Sequence, residues 1–342
     1  MTAADLSARR RIGAPALGLG PIGPIGLGCM NLSHAYGVPP PPAAAADLLL
    51  RALDAGVDFF DTAALYGFGA NEDLLGRTLA RHRARFLLAS KCGMTGVDGK
   101  RVIDGRPATL QRTCDEALQR LRTEVIDLYY LHRWDRQVPI EESVGALGDL
   151  VRAGKIRAIG LSEVSAATLR RAHAEHPVAA VQSEYSLWTR NPEIGLLAAC
   201  AELDVTLVAF SPLGRGFLGG ALRDVATLDA KDIRRAMPRF APENYAVNLQ
   251  IVEASAALAA QSGCTPAQLA LAWLLARDPR IVPIPGTTST AHLLENLAAA
   301  RRDVDAGVLQ RLDALFERRR IVGARYNAAT QAEIDTEEFD AH

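Results

Sequence analysis

Cysteine is scarce in this sequence and carries no pattern: five residues in 342, Cys29, Cys92, Cys114, Cys200 and Cys264, with no Cys-x-x-Cys pair. An odd count without that spacing argues against a disulfide framework and against a thiolate zinc site. Most of the five are expected as small buried hydrophobes. Charge of one sign is lacking too, since 38 basic residues face 39 acidic ones. No global field draws the chain to nucleic acid or to an anionic membrane. No uninterrupted apolar run is long enough to span a bilayer, and the first residues, MTAADLSARRR, lack the apolar core of a signal peptide. These absences point to a cytoplasmic protein and leave the oligomeric state open. His, Cys and carboxylates do not cluster at ligand spacing, so no metal site is expected.

The segment from Gly18 to Met30, GLGPIGPIGLGCM, carries Gly18, Gly20 and Gly23 in the spacing of a dinucleotide-binding turn. That fingerprint works only between a strand and a helix, where glycines let backbone amides approach a pyrophosphate. Here neither neighbour is present. RRIGAPA is too broken for a buried strand, and Pro21 and Pro24 resist continuation into a helix. The following VPPPPAAAA offers no acid about twenty residues on to hold a ribose hydroxyl. The segment reads instead as a small glycine- and proline-kinked hairpin feeding a strand, IGLGCM.

What the sequence has in quantity is alternation. Eight short apolar segments recur, IGLGCM, VDFFDTA, RFLLASK, IDLYYLH, IRAIGLS, AAVQSEY, TLVAFS and IVPIPG, with longer stretches between them. Stretches such as ATLQRTCDEALQRL place apolar residues at three- and four-residue intervals, the mark of amphipathic crossover helices. Eight strand and helix units predict an α/β fold, a (β/α)8 TIM barrel forming a single domain over residues 1–342, with a core of about 10–320. A doubly wound open sheet is the alternative. The stretch from Gly214 to about Tyr245 interrupts the rhythm and reads as a long loop after the seventh strand. Residues 321–342 have the composition of a polar, partly mobile tail.

In a barrel the chemistry sits at the carboxyl ends of the strands. Asp61 ends VDFFDTA with Tyr66 just after it, Lys91 ends RFLLASK, and His132 ends IDLYYLH. Each alone has a structural explanation as a turn cap, a solvated strand end or a packing residue. Together they weaken it, because a lysine after FLLAS is costly to half-bury without a carboxylate. They also compose a mechanism: Tyr66 as general acid, Lys91 to stabilise the phenolate, Asp61 to hold Lys91 charged, and His132 to position a carbonyl oxygen. What is missing is an electron source, which points to a hydride-delivering cofactor. The Tyr-x-x-x-Lys arrangement of another large class of carbonyl reductases is absent.

At these residues the sequence resembles the aldo-keto reductase family. DFFDTAALYG, LLASKCG, DLYYLHRWD, GKIRAIGLSE, VQSEYSLWTR, VAFSPLGRGFL and IPGTTSTAHLLENLAA look like that family's successive blocks, in order. The likeness is greatest to the branch with pyridoxal reductase, perakine reductase and the auxin-induced plant proteins. The resemblance implies an N-terminal β-hairpin closing the bottom of the barrel and a nicotinamide cofactor lying across the top. It implies NAD(P)H-dependent reduction of an aldehyde or ketone to an alcohol, with Asp61, Tyr66, Lys91 and His132 as the catalytic tetrad. Cys29 and Met30 then lie near the nicotinamide, Ser162 and Gln182 hold its carboxamide, and Phe210, followed by Ser211, stacks on its ring. Leu213, Gly214, Arg215 and Gly216 cover the pyrophosphate. Gly286, Thr287, Thr288, Ser289, His292, Glu295 and Asn296 hold the adenosine end.

Relatives in this branch carry basic residues just after IPGT to clamp the 2'-phosphate, where this chain has Thr288 and Ser289. The resemblance still implies NADPH, with NADH admitted because of this replacement and discrimination shallow; Arg215 or His292 could supply the missing charge. Around the substrate, Tyr66, His132 and Trp134 are expected, with Trp188 a further candidate. Arginines near RRAMPRFAPENY admit an anionic substrate group. Two alternatives remain at this level: a Schiff-base aldolase acting through Lys91, and a cofactor-sensing binding module like the potassium-channel β-subunits.

Overall fold

A computed structural model of the chain describes residues 7–97 and 100–339. The remaining positions, which include most of the N-terminal stretch read for a leader and the last three residues of the tail, lie outside the described residues. Eight parallel strands form one sheet: β1 (Leu27–Gly28), β2 (Phe59–Asp61), β3 (Leu87–Cys92), β6 (Ile126–Leu131), β7 (Ile156–Ser162), β8 (Val178–Glu184), β9 (Thr206–Phe210) and β10 (Ile281–Pro283). β4 (Met94–Val97) and β5 (Lys100–Ile103) form a separate antiparallel pair. The sheet curls so that the amide of Gly26, beside β1, reaches the Pro283 carbonyl of β10 at 3.0 Å. This is the expected barrel, with the expected long loop between β9 and the helix α7 (Pro242–Gln261).

The helices between the strands are α1 (Pro42–Asp54), α2 (Ala70–Leu79), α3 (Pro107–Leu121), α4 (Ile140–Arg152), α5 (Ala166–Glu175), α6 (Leu196–Glu202) and α8 (Pro266–Arg277). α9 (Thr290–Ala298), α10 (Ala306–Leu315) and the short α11 (Ala328–Gln331) follow β10. Local sequence explains their starts. Proline occupies the first turn of α1, α3, α7 and α8, where its missing N–H costs nothing. Thr265 and Gln268 close a capping box on α8, and Ser165 caps α5.

Period-two alternation sorts the strand residues into two cores. Phe60, Leu88, Tyr129, Leu131, Ile159, Leu161 and Val181 face the helices, while Phe59, Leu87, Ala89, Leu128, Tyr130, Ala158, Val208 and Val282 fill the barrel. Gly160 has no room for a side chain: a Cβ there would lie 2.2 Å from the Tyr130 ring, which fills the space. Ile12, Leu19 and Ile22 plug the bottom. The expected N-terminal hairpin is reduced to one antiparallel bridge, Arg10 with Ile22, because Pro15 starts a single helical turn between them.

The C-terminal segment departs most from its composition. Arg325 is buried, donating from Nε to Glu184 at 3.0 Å and from its second terminal nitrogen to Glu163. Thr336 adds a 3.1 Å bond to Glu163, Asp335 accepts from the Ser165 amide, and Glu337 accepts from the Ala166 amide at the start of α5. The polar residues of this segment are partners for two buried acids and a helix N-terminus, so it packs as part of the wall. Replacing Arg325 by leucine leaves Glu163 without its buried cation. We expect a loss of about 3 kcal/mol in denaturant unfolding at neutral pH; a loss below about 1 kcal/mol would show that the segment is not anchored this way.

Candidate active site

The alternation that puts Phe59, Ala89, Tyr130 and Ala158 inside the barrel also turns Asp61, Lys91, His132 and Ser162 inward at the carboxyl ends. The matching residues on the next strands are Gln182, paired with Ser162, and Phe210. Tyr66 arrives from the turn that links β2 to α2. There Asn71, the second residue of α2, holds Thr62 at 2.6 Å and the Cys29 carbonyl at 2.9 Å.

Lys91 is fully buried, with its ammonium donating to Asp61 Oδ1, to the Thr62 carbonyl at 2.8 Å and to the Tyr66 hydroxyl at 3.2 Å. Its three donors are thus all used. Gln182 donates from Nε2 to the other oxygen of Asp61 at 2.7 Å. Burial opposes the ammonium charge, but Asp61 and Tyr66 outweigh it and raise the Lys91 pKa above the ordinary lysine value. Burial likewise pushes the Asp61 carboxyl up against the pull of Lys91. A lysine held charged in this way opposes Schiff-base chemistry, which needs the free amine.

Tyr66 is buried, and burial raises its phenol above the usual tyrosine range, with Lys91 drawing it part of the way back. The Lys91 ammonium also lies 4.8 Å from the Tyr66 ring centre. His132 meets Tyr66 edge-on, ring centres 5.8 Å apart. Its imidazole is pushed well below the usual value by burial first, then by the charges of Arg133, Lys91 and Arg101. It is therefore neutral at physiological pH, and its Nδ1 is buried without a protein partner.

These groups open on a cleft of about 740 Å³. Asp61, Tyr66, His132, Met30, Ser162, Gln182, Phe210, Ser211, Leu213, Arg215 and Gly216 line it together with Gly286, Thr287, Thr288, His292, Glu295 and Asn296. Gly286 is confined there: a Cβ would lie 2.4 Å from Asn31 Oδ1 and 2.9 Å from the Gly28 carbonyl. Ser289 caps α9 by accepting from the His292 amide and accepts no place on the wall.

Several expectations are corrected by this geometry. Trp134 does not face the cleft: its indole N–H bonds the Val138 carbonyl, and Arg136 and Arg171 cover its ring. The turn after His132 has carried it outward. Trp188 is buried beneath the long loop, stacked on Phe217 with ring centres 3.7 Å apart. Cys29 lies behind the wall, with its thiol pushed up by burial, and Gly214 is also off it. Arg215 reaches the cleft, but its guanidinium is committed to Glu184 at 2.8 Å and Tyr326 at 2.9 Å, which removes it as a spare cation for a 2'-phosphate.

Other lining residues escaped sequence reasoning. Met94 and Arg101 come from the β4 and β5 pair, and Tyr326, Asn327, Thr330 and Glu333 from the C-terminal segment. The Asp98-Gly99 pair in MTGVDGKRVI was the available hairpin signal. Among the described residues, no group of His, Cys, Asp and Glu could hold a metal, and no helix is long and apolar enough to cross a membrane.

The electrostatics predict a pH profile for any reaction in which Tyr66 gives up a proton. With His132 neutral and Tyr66 raised, kcat/KM should be flat from about pH 7 to about pH 9 and fall only at higher pH, as the phenol ionises. An acid-to-neutral step near the ordinary histidine value would contradict the neutral imidazole.

The aldo/keto reductase family profile matches residues 24–317. The NADP(+) aldo-keto reductase yakc of Schizosaccharomyces pombe is 41% identical over 317 residues, 91% of this chain and 93% of that protein. Among solved structures, a glycerol dehydrogenase of Gluconobacter oxydans is similar with a TM-score of 0.82 and 28% identity, over 91% of this chain and 96% of that one. An aldo/keto reductase of Klebsiella pneumoniae, solved in complex with NADP and acetate, has a TM-score of 0.70 and 26% identity, over 96% of this chain and 100% of that one. The inward-facing strand ends, the cleft they line and the match over most of the length lead to one conclusion: the chain belongs to the aldo/keto reductase family.

Proposed function

We propose that this chain is a single-domain NADPH-dependent reductase that converts an aldehyde or ketone to an alcohol, with Tyr66 as the proton donor. The observation that carries the reading is the Tyr66 hydroxyl, 3.2 Å from a buried ammonium at the mouth of the cleft. In the reaction the substrate oxygen lies against Tyr66 and His132. As negative charge grows on that oxygen, Tyr66 transfers its proton and Lys91 stabilises the phenolate left behind. Asp61 keeps Lys91 charged and, through Gln182, is itself held in one orientation. A neutral His132 donates an N–H to the oxygen without competing as the acid. The block GLSE resembles that of the branch with pyridoxal and perakine reductases and supports placement beside them.

The residues present fit a nicotinamide dinucleotide. Phe210 offers a flat face, and Ser162 and Gln182 offer hydroxyl and carbonyl oxygens on the cleft wall. Bound there, reduced nicotinamide supplies the hydride to the carbonyl carbon. The relative named for NADP(+) and the neighbour solved with NADP support NADPH as the cofactor. At the adenosine end this chain offers Thr287 and Thr288 on the wall, His292, and the N-terminus of α9. With Arg215 engaged elsewhere, one charge-assisted bond to the 2'-phosphate is missing.

Tyr66→Phe should lower carbonyl reduction by about a hundredfold or more while leaving the cofactor Kd within about threefold, because the proton donor alone is lost. Full activity in that variant would remove Tyr66 from the role. Fluorescence titration should find NADPH bound no more than about tenfold tighter than NADH, the worth of one such bond. A thousandfold preference would show a phosphate clamp outside the residues named here.

A further inference from the structure

Four arginines line the cleft among the described residues, and three have a carboxylate partner. Arg101 bonds Glu333, Arg215 bonds Glu184 and Arg234 bonds Asp232. Arg133, directly after His132, has none. It donates from one terminal nitrogen to the His132 carbonyl at 2.6 Å and to Ser162 Oγ at 3.2 Å. Its Nε and second terminal nitrogen form an edge that bonds no protein acceptor among the described residues. A half-buried guanidinium kept without an acid is costly. Its charge reaches the reacting groups, drawing down both the Tyr66 phenol and the His132 imidazole.

We infer that the substrate is an aldehyde or ketone that also carries a carboxylate, and that the open edge of Arg133 takes this carboxylate in a two-bond fork while the carbonyl oxygen meets Tyr66 and His132. The inference rests on the reductase reading above and names the substrate class of the same site. The planar fork of a guanidinium matches a carboxylate in shape and charge. A phosphate ester, with more charge and three oxygens, calls for a second free cation. Arg101, the nearest in kind, is already neutralised by Glu333, whose two oxygens both lie 2.5 Å from it. Because Arg133 is tied to the backbone of His132 itself, the anion site and the carbonyl site adjoin. That proximity favours compact oxo acids with few bonds between the two groups. Arg133 acts in selection among substrates, and the proton transfer remains with Tyr66.

The test is NADPH-dependent reduction of succinic semialdehyde and meta-carboxybenzaldehyde, each against its own methyl ester, in the wild-type protein, Arg133→Gln and Arg133→Lys. Cofactor Kd is measured in all three by titration. The expected result is a kcat/KM for at least one acid about tenfold or more above its ester, mostly through KM. In Arg133→Gln the ratio falls to about one, and in Arg133→Lys it is partly kept. Esters reduced as well as both acids would overturn the inference and leave the reductase reading intact. A ratio that survives in Arg133→Gln, or a variant whose main defect is cofactor Kd, would overturn the role of Arg133. Absence of turnover with all four compounds would overturn both readings.

Discussion

The structure is organised around a charge placed where charge is least welcome. Lys91 stands fully buried at the mouth of the barrel, and a lone ammonium there would cost several kcal/mol, roughly, even after relaxation. It is tolerated because three oxygens from two consecutive pieces of chain surround it: the Asp61 carboxylate, the Thr62 carbonyl and the Tyr66 hydroxyl. Each is delivered by the register of β2 against β3 and by the turn that Asn71 holds. A slip of one residue in β3 would turn Lys91 toward the helices and break the arrangement. The same geometry that makes the lysine affordable leaves its charge 3.2 Å from the Tyr66 hydroxyl.

A second set of buried charges builds the walls of the cleft. Glu163 and Glu184, at the ends of β7 and β8, are both buried. Burial opposes the Glu184 charge, yet Arg215, Arg325 and Arg239 together hold its carboxyl down to about 2. Arg215 belongs to the loop after β9 and Arg325 to the C-terminal segment, so one carboxylate joins two segments far apart in sequence. Both segments contribute to the cleft, which places the residues around a bound ligand under the control of ion pairs outside the reacting centre. Truncating either side of such a pair leaves an uncompensated charge, which is why these contacts act on stability and on site geometry together.

The barrel and the strand-end cluster of Asp61, Lys91 and His132 were legible because both follow local rules. Apolar runs of strand length separated by helical periodicity foretell the sheet, and alternation within each run decides that Asp61, Lys91 and His132 share a face with Phe59, Ala89 and Tyr130. Ser162, Gln182 and Phe210, expected from the family resemblance, lie on the cleft wall. Expectations failed where the outcome depends on distant partners. Nothing near Arg325 in sequence reveals that Glu163 and Glu184 await it, so a segment of polar composition read as a tail. Trp134 reads as a rim aromatic until Val138 and Arg171 are seen to hold it outside. Cys29 lies one residue from the wall, a difference of half a strand repeat that composition does not encode.

The central claim is that the ammonium of Lys91 makes Tyr66 a usable acid, and Lys91→Met tests it most directly because methionine keeps most of the volume and removes the charge. With the cofactor Kd measured alongside, the account predicts a fall in kcat of about a hundredfold or more for carbonyl reduction, with cofactor binding largely kept. A variant that reduces aldehydes at the wild-type rate, with its tyrosine still required, would contradict the claim.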